Sequence, residues 1–285
     1  MTETARGLKD FLTGPGPIAL VEVAGTKGST PREAGAFMLV SPTAIHGTIG
    51  GGQLEFMAID EARQMLGRFS LRKGEDGSAT LDIALGPEIG QCCGGRVEVA
   101  IRPVDGALAG ELAAMAERQE ERLPHLYILG GGHVGRALAA AASLLPVRAT
   151  VVETRAQELR DIPDGVKTRL TAMPEEVVRE APAGAAFVVL THDHALDFLI
   201  VAEALKREDA AYVGMIGSKT KKATFRNWFL KTAGGSEEAF ARLVSPIGGD
   251  VVKDKRPAVI AALAVAEIMA ALALHGAEHG AALRV

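Results

Sequence analysis

Leu126-Tyr127-Ile128-Leu129-Gly130-Gly131-Gly132-His133-Val134-Gly135 is the stretch on which the fold turns. Four apolar residues read as a strand, three glycines as a tight turn, and Val134 to Leu145 as a helix. G-x-G-x-x-G directly after a strand and opening a helix is the setting of a dinucleotide-binding turn. The glycines permit a tight turn and a close pyrophosphate approach at a helix N-terminus, which favours anions. Glu153 ends the next strand, Ala149 to Glu153, where an acidic side chain can take ribose hydroxyls. Gly130, Gly132, His133, Gly135 and Glu153 are therefore candidate cofactor-binding residues. Gly132→Val is expected to impair ligand binding or local folding. Rossmann-like sheets also bind other phosphorylated ligands, so the motif specifies a fold before it specifies a cofactor.

Downstream, strand and helix alternate. Thr168 to Leu170, Ala186 to Leu190 and Tyr212 to Ile216 read as strands, and Phe198 to Lys206 as a helix. Such alternation predicts a parallel sheet covered by helices. Ligands of open parallel sheets sit at the carboxyl ends of the strands. Thr191-His192-Asp193-His194 follows one strand, and Ile216-Gly217-Ser218-Lys219-Thr220-Lys221-Lys222 the next. His192 and His194 could bind a metal with Asp193 orienting one of them, although this set is too small for a closed zinc site. A loop packed by its own Asx-type hydrogen bonds fits His192 to His194 equally well. Ser218, Lys219 and the neighbouring lysines could clamp a phosphate or carboxylate, or simply form a solvated helix start. An ordinary NTPase is excluded because the upstream Walker A glycine is missing. Ala258 to His275 is apolar except for Glu267. Spanning a bilayer takes about 20 apolar residues with flanking anchors, so this run reads as a buried C-terminal helix.

Upstream the style changes. Ile18 to Val23, Ala36 to Val40, Ile45 to Ile49, Ala79 to Ala84 and Arg96 to Ile101 read as strands, and Leu54 to Leu66 as a helix. An α/β chain follows, with an α+β domain over residues 1–107, a helical linker over 108–123 and a Rossmann-like domain over 124–285. The N-terminal domain carries three glycine-rich loops. Gly25 to Arg32 contributes Lys27, Ser29 and Arg32; Gly50 to Glu55 contributes Gly51, Gly52, Gln53 and Glu55 and could form an anion nest. The third, Gly90-Gln91-Cys92-Cys93-Gly94-Gly95-Arg96, holds the chain's two cysteines. Adjacent cysteines do not readily bond to each other, because neighbouring side chains point apart. Arg96 could lower a thiol pKa and make Cys92 or Cys93 a nucleophile or a soft-metal ligand. Buried cysteines acting as small hydrophobes would fit the same run. Together the loops suggest one anionic ligand with a sulfur- or metal-bearing end, received by Gln91, Cys92, Cys93, Gly94 and Gly95.

With 285 residues, two domains are the natural division. The balance of 31 basic against 35 acidic residues gives a net charge of −4, which argues against non-specific nucleic-acid binding. Two cysteines cannot form a disulfide framework, so a reducing, cytoplasmic setting is expected. The first ten residues lack a signal-peptide core, and no membrane partner is expected. Homo-oligomerisation is compatible with the composition.

The whole set of motifs resembles the XdhC/CoxI family of xanthine dehydrogenase accessory proteins. The matching segments are Gly28 to Arg32, Gly50 to Glu55, Gln91 to Gly95, Leu129 to Gly135, Thr191 to Asp197, Tyr212 to Ser218 and Ser245 to Gly248. They keep the family order. After Gly248 the chain reads Gly249-Asp250-Val251-Val252-Lys253-Asp254-Lys255-Arg256, which departs from the usual acidic, Pro/Glu-rich helix start. The resemblance implies an accessory protein and not an enzyme. It would bind molybdenum cofactor (Mo-molybdopterin) as cargo, with Cys92 or Cys93 as a possible molybdenum contact. It would protect the cargo during sulfuration by a NifS-type L-cysteine desulfurase and deliver it to a xanthine dehydrogenase-type molybdenum hydroxylase. Two rivals remain: an NAD(P)-dependent oxidoreductase using the Rossmann half and a cysteine, and a cysteine redox sensor.

Overall fold

Alternate residues of the first strands are buried on opposite faces, so the N-terminal sheet must be covered on both. In the computed structural model, which describes residues 5–71, 77–86 and 94–278, helices provide that cover. The antiparallel sheet comprises β1 (Ala19–Lys27), β2 (Phe37–Val40), β3 (Ile45–Gly47), β4 (Ala79–Ala84) and β5 (Arg96–Pro103), in the order β3-β2-β1-β5-β4. Val21, Val23, Val97 and Val99 face α2 (Gly52–Leu71), which contributes Leu54, Ala58, Ala62 and Leu66. Ile18, Leu20 and Leu39 pack instead with Leu8 of α1 (Ala5–Leu12) and Leu112 of α3 (Gly106–Glu121).

The chain divides by packing into Glu3–Glu121 and a unit beginning at Arg122. The segment expected to be a helical linker, 108–123, is therefore mostly α3, whose Leu112 is buried in the N-terminal unit. Its apolar stripe finds cover there, which a free linker would lack.

The C-terminal unit meets the expectation of a parallel sheet. Its strands are β6 (His125–Leu129), β7 (Arg148–Glu153), β8 (Lys167–Leu170), β9 (Ala186–Val189), β10 (Tyr212–Met215) and β11 (Leu243–Val244), in the order β11-β10-β9-β6-β7-β8. Every described pair is parallel. One face meets α4 (His133–Ala142) and α9 (Pro257–Glu278) through Leu138, Ala142, Ala264 and Ile268. The other meets α5 (Pro174–Glu180), α6 (His194–Lys206), α7 (Lys219–Lys231) and α8 (Glu237–Ala241) through Val177, Ile200, Phe225 and Phe240. The apolar C-terminal run is a helix, as expected, but only one stripe of it is buried, Ala261, Ala264, Ile268, Leu272 and Gly276. Leu274 remains 67% exposed. By length and apolarity α9 could cross a membrane.

Strand order reverses between β6 and β9, so their carboxyl ends form the topological switch point of the sheet.

Candidate functional site

In the N-terminal unit the structure brings the described parts of the three glycine-rich loops together. Gly94 N–H donates to Leu85 O at 2.9 Å and Leu85 N–H to Gly95 O at 2.8 Å, closing the base of the β4–β5 connection. Gly95 lies so close to the β1–β2 loop that a Cβ on it would sit 2.1 Å from Ser29 O. A Cβ on Gly50 would sit 2.6 Å from Pro31 Cγ, so the β3–α2 loop abuts the same β1–β2 loop. Lys27 and Ser29 are exposed and Arg32 is half-buried beside them. Gln91, Cys92 and Cys93 lie outside the described residues.

Two expectations about this cluster change. The anion nest at Gly50 to Gly52 already holds an anion, because Glu55 reaches back from the first turn of α2. Its Oε2 accepts from Ile49 N–H at 3.2 Å, Gly51 N–H at 3.0 Å and Thr48 Oγ1 at 2.6 Å. The carboxylate does for this helix start what a capping box does, while Gly52 and Gln53 remain exposed. Arg96 is likewise engaged: its guanidinium forms a fork on Asp82 across β4 and β5, with Nη2 to Oδ2 at 2.7 Å. That hydrogen bond lowers the Asp82 pKa, and its carboxylate offsets the charge meant for a cysteine thiol.

At the switch point the glycine turn folds as expected. Gly130 has φ +128°, and a Cβ there would lie 2.4 Å from Leu190 O. Gly135 is packed so closely that a Cβ would lie 1.9 Å from Gly130 O. Gly132 differs: its φ is −66° and nothing lies within 4 Å of a Cβ built there. The folding requirement expected at Gly132 thus belongs to Gly130 and Gly135, and only an incoming ligand would need Gly132 bare. His133 opens α4 and is exposed.

Glu153 is 3% exposed and turned inward. It accepts from Gly131 N–H at 2.8 Å, Thr154 N–H at 2.8 Å and Arg155 N–H at 3.1 Å, with the Arg155 guanidinium alongside. Burial pushes its carboxyl up, but the Arg155, Gly131 and Thr154 hydrogen bonds outweigh burial and hold it at about 2. A residue expected to receive ribose hydroxyls is thus already engaged by its own turn.

His192, Asp193 and His194 are exposed, and Asp193 caps α6 by accepting from Ala195 N–H at 2.8 Å. Ser218 caps α7 in the same way, accepting from Lys221 N–H at 3.2 Å. These residues set helix starts, as short polar side chains do. Among the described residues no group of three His, Cys, Asp or Glu side chains forms a metal-ligand cluster.

The residues least visible in the sequence are Asp197 and Lys221. Asp197 is fully buried, accepts from Thr191 N–H at 2.9 Å and Thr191 Oγ1 at 2.7 Å, and pairs with the Lys221 ammonium. A Cβ on Gly217 would lie 2.6 Å from Lys221 Cδ, so the lysine stem runs directly against that glycine. Lys221 therefore does not join a phosphate clamp. It ties the loop after β9 to α7. The signals available were indirect: Asp197 ends the Thr191 to Asp197 motif, one turn into a helix capped by Asp193, and Lys221 stands in the lysine run after β10.

With this geometry in place, similarity to known proteins decides the family. Residues 126–268 match the XdhC Rossmann domain, and residues 12–73 match the XdhC and CoxI family. The chain belongs to the XdhC/CoxI family. The uncharacterized protein YqeB of Escherichia coli (strain K12) is 28% identical over 267 residues, covering 89% of this chain and 43% of that protein. The chain thus spans less than half the length of that curated relative. A crystal structure of a xanthine dehydrogenase from Bacillus halodurans superposes with a TM-score of 0.75 at 18% identity, covering 94% of this chain and 96% of that one. At that identity the likeness speaks for the fold.

Proposed function

We propose that this protein serves xanthine dehydrogenase maturation as an accessory protein: it binds molybdenum cofactor as cargo, shelters it during sulfuration and passes it to a molybdenum hydroxylase. The observation that carries this reading is membership of the XdhC/CoxI family, with both parts of the chain matched. The N-terminal loop cluster suits such a cargo in its chemistry. Lys27 and Arg32 supply cationic groups for a phosphate, and the converging main chains of Ser29 and Gly95 supply a close-packed wall. Cys92 and Cys93 would add soft thiolate ligands at the same loop. The oxidoreductase reading draws less support, because Glu153 is hydrogen-bonded to its own turn. A xanthine dehydrogenase-type hydroxylase and a NifS-type cysteine desulfurase are the proposed partners, the cytoplasm the proposed location.

The test is to produce the recipient hydroxylase with and without this chain. Its molybdenum and terminal sulfide should fall without it, while flavin and iron–sulfur content stay normal. A fully sulfurated, fully active hydroxylase made without this protein would overturn the reading. In the same cells, the Cys92→Ala/Cys93→Ala protein should keep its thermal stability and lose retained pterin, read as fluorescence after acid oxidation. Undiminished pterin would remove the cysteines from the site.

A further inference from the structure

A second place in the C-terminal unit has the makings of a ligand site. Beyond the carboxyl ends of β10 and β11 lies an open cavity of about 490 Å³, lined by Lys219, Lys222, Ser245, Pro246, Asp250 and Glu267 among others. We propose that this cavity binds an organic phosphomonoester that carries a hydrogen-bond donor on its body.

The charge distribution sets the ligand's orientation. Lys219 and Lys222 stand on the first turn of α7, a 13-residue helix whose N-terminus adds its own positive potential. Neither ammonium is tightly held. Lys219 pairs with Asp250 at 3.2 Å, with the side chains 85% and 63% exposed, and such surface pairs are weak. Lys222 gives one hydrogen bond, to Leu243 O at 3.2 Å, and stands 5.7 Å from the centroid of the Phe240 ring, which still leaves N–H donors of its ammonium unused. At the Gly51 and Gly131 turns, by contrast, a carboxylate of the protein already sits on the backbone N–H groups.

The opposite wall carries acceptors. Glu267 takes the Tyr212 hydroxyl and, with Asp250, retains lone pairs for an amino or ring N–H of the ligand. Val244 and Pro246 supply an apolar surface between the two ends. The Ser245 hydroxyl is buried without a hydrogen-bond partner, an arrangement native proteins seldom keep. Ser245 lines the cavity, so a phosphate oxygen bound there would supply the missing partner. The volume is in the usual range for small organic ligands. The position, at the carboxyl end of a parallel sheet, is where such folds take them.

A nucleotide and a pterin phosphate share this chemistry. The experiment titrates the full chain with adenosine 5′-monophosphate, a 6-alkylpterin phosphate ester and inorganic phosphate, read by calorimetry. It needs neither molybdenum nor a hydroxylase, so its failure leaves the carrier reading standing, and the failure of that reading leaves this one. One ester should bind saturably and at least tenfold more tightly than inorganic phosphate; the tighter ester names the source. Lys219→Ala/Lys222→Met, which keeps the stem of residue 222, should weaken that ester about tenfold or more, and the effect should shrink in high salt. Ser245→Ala should also weaken it, while the ligand-free melting temperature holds or rises. Wild-type affinity in the double lysine variant, no saturable binding of either ester, or equal affinity for inorganic phosphate and both esters would overturn the proposal.

Discussion

Glu153 shows how one side chain can be claimed by its own turn. Its carboxyl is held at about 2 in the folded chain against 4.5 ordinarily. Because the folded value is depressed, the stabilisation is complete above the unfolded pKa and is lost as pH falls from about 4.5 toward 2. The size is roughly 3 kcal/mol, at about 1.4 kcal/mol per pKa unit. Glu153→Gln should therefore be clearly less stable than the wild type in urea at pH 7, and the gap should close as pH drops below 4.5. A gap that stays constant with pH would mean that the carboxylate is not held this way. The glycine turn offers a second contrast. Gly135→Ala should destabilise by about 1–3 kcal/mol through overpacking, since its Cβ would lie 1.9 Å from Gly130 O. Gly132→Ala should shift stability by about 0.5 kcal/mol or less, since that position is open. Any binding that the Gly132 variant loses then reports a ligand at the turn, and paired thermal melts and titrations read both.

Between elements, the Asp197–Lys221 pair joins α6 to α7 across the carboxyl end of the sheet. Both side chains are buried, at 0% and 8% exposure. Lys221→Met should leave a buried carboxylate without its counter-ion and cost about 3–5 kcal/mol. Asp197→Asn/Lys221→Met should recover part of that loss, because no charge is then left unpaired. Chemical denaturation of the three variants measures this. A single-lysine variant as stable as the wild type would show that the pair does not hold these elements together. The helices that the sequence left unread follow from local signals too weak to stand alone. α5 is only seven residues long, although Pro174 sits at its start and Glu175 and Glu176 occupy its first turn. α1 spans eight residues, and its apolar Leu8 becomes informative only once Leu112 covers it. β11 is two residues long and acquires its identity as a strand by pairing with β10.

In the whole molecule each unit encloses its own apolar core, Val21 and Leu54 in one and Ile128 and Val188 in the other. The fragment from Arg122 to Val285 should therefore unfold as one cooperative transition when produced alone. A broad, non-cooperative melt would mean that its core is incomplete. What the sequence by itself determined was the architecture: period-2 runs, a strand–glycine–helix turn and alternating βα segments specify elements through local chemistry, and they placed nearly every strand. Local chemistry also named the glycine-rich loops. What only the tertiary structure decided was which charges are free. Glu55, Glu153 and Lys221 each read as available for a ligand when considered along the chain, and Arg96 as available to a cysteine thiol, yet each is taken by a partner in the fold. Lys221 meets Asp197 across 24 positions, and Glu153 meets Gly131 across 22. Pairing at such separations is created by strand order and helix packing, and no periodicity along the chain records it.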